Sequence, residues 1–182
     1  MSEKKSIITS IGIDLALVNS GIVVLENSSI AKKVSIKSKP SGDRPTDELK
    51  RIRKIVQEIE DIVSDYNPSI AVIENLAFAI RSTTSLTQLA GLSFLTRAML
   101  SDYRIPFILV APTTLKRFAT GKGNSEKDHI VLAAYKEYGI DDINNDIADA
   151  LFLSKIGSMI LGYDKPKAIY QTETIELLNK QR

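Results

Sequence analysis

The hydrophobic pattern of this chain changes period near Pro40. Ahead of it lie SIITSIGID, SGIVVLEN and SIAKKVSIK, three apolar stretches rich in β-branched residues. They predict three consecutive strands, the start of an antiparallel meander, with Asn27–Ser28–Ser29 as a turn. The segment PSGDRP, residues 40–45, is a loop of turn formers. Beyond it Leu49, Ile52, Ile55, Val56, Ile59, Ile62, Val63 and Tyr66 recur at three- and four-residue steps. That spacing predicts an amphipathic helix, stopped by Asn67–Pro68. A buried strand follows at 69–74, then a helix from Thr83 to Tyr103 with Leu86, Leu89, Ala90, Phe94 and Leu95 on its apolar side. Pro106–Val110 reads as a fifth strand. A short helix follows Pro112, two more lie near Ser125–Tyr138 and Asp146–Leu161, and a last one at Glu173–Lys180. The order β-β-β-α-β-α-β-α predicts an α/β fold with a mixed five-stranded sheet and helices on both faces.

Composition narrows the chemistry. The 182 residues make about one domain, with 43% hydrophobic and 25% charged residues, as in ordinary globular proteins. Cysteine is absent, which removes disulfides, thiolate metal sites and cysteine nucleophiles. His129 is the single histidine and is expected at the surface. Any metal would therefore sit among oxygen donors and be a hard cation. No apolar run is long enough for a membrane span, so no membrane partner is expected. The formal net charge is only +2, but the basic residues are unevenly spread. Between Ile30 and Lys54 stand nine basic residues against Asp43, Asp47 and Glu48. A second basic stretch holds Lys116, Arg117, Lys122 and Lys127 against Glu126. Such asymmetry suits a phosphate-contacting face, and equally a solvated helix face.

Four carboxylates occupy informative positions. Asp14 ends the first strand, Glu74 ends the fourth, and Asp146 and Asp149 open a late helix on one face. Strand-end acids project from the sheet rim, where open α/β sheets bind ligands. If the first and fourth strands are neighbours, Asp14 and Glu74 meet and the late helix packs over them. Acids so gathered repel unless a cation neutralises them, and a pair of divalent ions is the usual solution in phosphodiester hydrolysis. Each also has a plainer reading: Asp14 as a turn acid, Glu74 as an ion-pair partner, and Asp146 as a helix N-cap. Asp149 lies in the otherwise apolar IADALFL, where an idle acid is harder to explain.

The element order matches the ribonuclease H-like fold, and several motifs resemble the RuvC-type Holliday-junction resolvases within it. Ile11–Gly12–Ile13–Asp14 followed by Ser20–Gly21 is similar to the family's opening motif, and Ala71–Val72–Ile73–Glu74 to its second acidic motif. Gln88–Leu89–Ala90–Gly91 resembles its central glycine-bearing helix. Ala111–Pro112, Leu115–Lys116, Gly121–Lys122–Gly123 and Glu126–Lys127 resemble its lysine- and glycine-bearing stretch, and residues 146–151 its closing D-x-x-D-A-L. Leu15–Ala16 departs from the family's Pro–Gly, which suggests a divergent branch, phage or viral.

The resemblance implies a metal-dependent structure-selective endonuclease cutting Holliday junctions or other branched DNA. Asp14, Glu74, Asp146 and Asp149 would bind Mg2+ or Mn2+, two per site, with Lys127 also catalytic. Lys116, Arg117, Lys122 and Lys127 would contact DNA. Phe78 is placed as an aromatic wedge, with a core position as the alternative. The resemblance further implies a homodimer, with Thr83–Tyr103 as the expected interface, and a cytoplasmic location in a bacterial or virus-infected cell. Residues 1–162 would form the nuclease domain and 163–182 a C-terminal extension. Alternative readings are a nuclease on RNA or RNA–DNA hybrid and a non-catalytic branched-DNA binding module. A sugar-kinase or actin-like ATPase would need two lobes, for which the chain is too short.

Overall fold

A computed structural model describes residues 7–76 and 83–181. Strand β1 (Thr9–Asp14) is followed by β2 (Asn19–Glu26), β3 (Ser29–Lys37), helix α1 (Pro45–Tyr66) and β4 (Ile70–Glu74). Then come α2 (Thr83–Asp102), β5 (Phe107–Val110), α3 (Pro112–Thr120), α4 (Lys127–Tyr138), α5 (Asn145–Ile160) and α6 (Ile169–Asn179). The sheet order is β3-β2-β1-β4-β5. Strands β1 to β3 pair antiparallel, whereas β4 and β5 extend the sheet in parallel from β1. This is the mixed five-stranded sheet that the alternating pattern predicts.

Local chemistry explains the connections. The β2–β3 turn is tighter than expected, because Ser29 already pairs with Glu26 and leaves only Asn27 and Ser28 in the loop. Both adopt positive φ, 46° and 65°, the backbone a two-residue hairpin of right-handed twist demands. Asn67 closes α1 in the left-handed region, donating its N–H to the Val63 carbonyl, and Pro68 prevents continuation.

Each face of the sheet carries its own core. Ile11, Ile13, Ile22, Val24, Ala71 and Ile73 point to the side covered by α1 and α2. Val23, Leu25, Val72, Ile108 and Val110 point to the other, where α3 to α6 gather around α5. In α2 the inward residues are Leu92, Ser93, Thr96, Met99 and Leu100. Phe94 and Leu95, expected on the apolar side, face solvent instead, Phe94 at 65% exposure. Thr96 can take a core position because its hydroxyl donates to the Leu92 carbonyl within the helix. The last helix begins a turn earlier than its sequence pattern indicates.

Helix α5 is buried along nearly its whole length and lies directly on β1 and β2. Two glycines permit this approach. A β-carbon on Gly12 would stand 1.9 Å from the Ala150 carbonyl oxygen, and one on Gly21 would stand 2.1 Å from that of Asp146. Ser10 and Ser154 then fasten strand to helix, each hydroxyl donating to the other's carbonyl at 2.8 and 3.0 Å. Among the described residues no helix is long and apolar enough to cross a membrane.

Candidate active site

The sheet register brings the strand-end acids together. Ile13 of β1 pairs with Ile73 of β4, so Asp14 and Glu74, next in each parallel strand, leave the same rim side by side. Their side chains lie within hydrogen-bonding reach of one another. Burial first, and then the Glu74 charge and hydrogen bond, push Asp14 well above the usual carboxylate range. Glu74 is also raised, chiefly by burial and against the pull of Asp14 and of Lys127 and Lys116.

Helix α5 supplies the other two carboxylates from above. Because Gly12 and Gly21 let it sit on the strands, Asp149 comes within electrostatic reach of Asp14 and Asp146. Burial and the Asp14 charge push Asp149 up to about 7. Both Asp14 and Asp149 are only 7% exposed. Asp146 is not the N-cap. That position belongs to Asn144, whose side chain accepts from the Ile147 N–H at 2.9 Å, which releases the Asp146 carboxylate for the site.

Asn19 completes the cluster and was not among the residues singled out from the sequence. Its amide donates to Asp146 Oδ2, and its carbonyl oxygen accepts from the Ser35 hydroxyl. The Asp146 carboxylate is thereby held from β2 and β3. The signal lay in a contact between residues 127 positions apart, which no local pattern displays. The turn before it, where Leu15–Ala16 depart from the family pattern, is closed by Ser20, whose hydroxyl donates to the Ala16 carbonyl at 2.7 Å.

Of the predicted cations, two stand over the acids. Lys127, at the start of α4, acts on Asp14, Glu74 and Asp149, and half-buried Lys116 of α3 acts on Glu74 and Asp149. Arg117 instead forms an ion pair with Glu173 of α6. Lys122 is exposed on the loop between α3 and α4, and His129 is exposed as expected. Phe78 lies outside the described residues. Part of the basic stretch before α1 is already engaged: Arg44 binds Asp47 through two hydrogen bonds of 2.8 and 3.0 Å.

Among the described residues no three acidic side chains are already drawn together as a finished metal cage. The donor set nevertheless fits hard divalent cations, with carboxylate oxygens from β1, β4 and α5 and neither thiolate nor imidazole. Burial and mutual repulsion, which raise Asp14, Glu74 and Asp149 together, mark where positive charge relieves the crowding.

A rim of acids flanked by lysines, on a sheet of order β3-β2-β1-β4-β5, defines a nuclease of the ribonuclease H-like class. Residues 6–155 match the family model for crossover junction endodeoxyribonuclease RuvC, and the chain belongs to that family. A RuvC from Prochlorococcus marinus is 27% identical over 154 residues, covering 81% of this chain and 96% of its own. The Carboxydothermus hydrogenoformans RuvC is 29% identical over 159 residues, covering 84% and 96%. The structure of T. thermophilus RuvC in complex with Holliday junction substrate superimposes with a TM-score of 0.70 at 16% identity, covering 81% of this chain and 90% of that one.

Proposed function

We propose that this RuvC-family nuclease is a metal-dependent, structure-selective endonuclease that hydrolyses phosphodiesters in four-way DNA junctions. The observation that carries the reading is the convergence of Asp14, Glu74, Asp146 and Asp149 beside Lys116 and Lys127. These four carboxylates would hold two Mg2+ or Mn2+ ions, with the Asp146 carboxylate oriented by the Asn19 amide. Bound there, such cations supply activation of a water nucleophile and neutralisation of phosphate charge. Lys127 and Lys116 draw the scissile phosphate onto the rim and offset the charge that builds up as the phosphorus–oxygen bond breaks. Water adds to phosphorus and the 3′-oxygen leaves with a proton, giving 5′-phosphate and 3′-hydroxyl ends. Residues 163–182 act as an extension of the nuclease domain 1–162.

A four-way junction needs paired cuts, and two copies related by a two-fold axis place two such rims on opposite strands. The outward Phe94 and Leu95 of α2, with the Arg97 guanidinium 4.0 Å over the Phe94 ring, offer the apolar surface for that contact. A labelled four-way junction, a matched linear duplex and an RNA–DNA hybrid, each incubated with Mg2+ or EDTA, test the activity. The expected result is paired nicking of the junction alone, and only with Mg2+. Preferential hybrid cutting, or full activity in EDTA, would overturn it. Sedimentation of the protein at micromolar concentration should show a dimer, and a strict monomer with and without junction would refute the paired-cut geometry.

A further inference from the structure

Beyond the acidic rim, a groove of about 350 Å3 runs between the α3–α4 loop, the outer side of α4 and the first turn of α6. Its lining includes Lys122, His129, Lys136 and Tyr170, together with Thr120 and Ser125, whose hydroxyls bond to each other and to the Lys116 and Lys122 carbonyls. No carboxylate lines it. On the packed elements Glu126 and Asp128 flank Lys127, Glu137 follows Lys136 and is paired with Lys155 and Lys167, and Glu173 on α6 is paired with Arg117. Among the described residues neither Lys122 nor Lys136 forms an ion pair. Unpaired cations and a phenol without an opposing acid are the composition that phosphodiesters select.

The groove is also fixed and well placed. Tyr170 packs over Gly121, whose φ of +82° turns the chain there and whose missing β-carbon leaves room for the ring. Helix α6 is anchored beneath it by buried Ile175 and Leu178 and by Gln171, which accepts from the Lys167 N–H at 2.8 Å. Ser125 of its lining stands two residues before Lys127, which acts on the candidate acids. Tyr170 lies beyond residues 6–155, the part of the chain that matches the family model.

We infer that the groove walled by Lys122, His129, Lys136 and Tyr170 is a DNA-backbone site that holds one arm of the branched substrate as it leaves the active rim. The inference rests on the junction-nuclease reading and adds to it the path of the substrate and a role for the C-terminal helix.

The test is junction affinity of the full chain in EDTA, measured by fluorescence anisotropy across a series of salt concentrations. Lys136→Gln removes one exposed charge from the groove. It should flatten the plot of log K against log salt by about 0.9, the value of one phosphate contact, and weaken binding several-fold. Tyr170→Leu should weaken binding without changing the slope, since it removes no charge. Lys180→Gln makes the same charge change at the far end of α6 and should match the parent chain. If Lys136→Gln behaves like Lys180→Gln while the parent binds and cuts junctions, the groove assignment is wrong and the nuclease reading stands. A parent chain that binds no junction overturns both. Should Tyr170→Leu fail to fold, Lys136→Gln alone decides the matter.

Discussion

Asp149 is the residue on which the proposed chemistry turns, because burial and the Asp14 charge already strain its ionised form. Asp149→Asn removes one negative charge at nearly constant size, and a carboxamide is a poor ligand for a hard cation. Junction cutting should fall by several orders of magnitude while junction binding in EDTA holds or tightens slightly; cutting at the parental rate would remove the acidic rim from the mechanism. Asn19→Ala tests the hold on Asp146. Losing a group that orients a ligand typically weakens metal affinity by about 10- to 100-fold, and a Mn2+ titration followed by electron paramagnetic resonance would register it. Unchanged Mn2+ affinity would make the Asn19–Asp146 contact merely structural. All four acids were readable because strand ends and helix starts are local features with a known direction. Asn19 was not, since its partner exists only once α5 has settled on the sheet.

At the scale of elements, the site depends on how closely α5 can lie on β1. Gly12→Ala would drive a methyl group into the Ala150 carbonyl, against backbone that cannot rotate aside. Helix or strand must shift, at a cost of about 3 kcal/mol or more, read as a lower urea midpoint. The same variant should lose metal affinity, because Asp146 and Asp149 ride on that helix; parental stability would show that the approach is less tight than described. The strand order was legible from the change in hydrophobic period, and so was the amphipathic face of α1. The polarity of α2 was not. Buried Ser93 and Thr96 and exposed Phe94 and Leu95 run against hydropathy, because Thr96 satisfies its hydroxyl inside its own helix. The length of α6 was hidden too, since Pro166 and Lys167 read as tail while Gln171 secures the turn that starts the helix.

For the whole molecule, the acidic rim should set how stability depends on pH. Asp14, Glu74 and Asp149 have folded-state pKa values raised by burial and by one another, with Asp149 at about 7. The unfolded chain ionises these groups near pH 4, so the native state holds more protons from there up to about pH 7. Stability must therefore fall as pH rises through that window. Glu137 works in the opposite sense. Burial opposes its charge, but hydrogen bonds from Lys155 and Lys167 outweigh that and lower its pKa. Its contribution is present above the ordinary Glu range and is lost as pH drops through the lowered value. Lys155, at 2% exposure, has Glu137 as its ion-pair partner, so acid should loosen the packing of α4 on α5. In EDTA the melting temperature should accordingly be highest near pH 4 and fall by roughly 5 °C or more between pH 5 and pH 8. Saturating Mg2+ should restore most of that loss at pH 8 and little at pH 5, because the ion binds the ionised carboxylates of the native state and not the unfolded chain. A melting temperature in EDTA that is flat or rising between pH 5 and 8 would mean that the acids do not crowd one another. Asp149→Asn offers the internal control: with one repelling charge gone, its metal-free melting temperature at pH 8 should exceed that of the parent, and its response to Mg2+ should shrink.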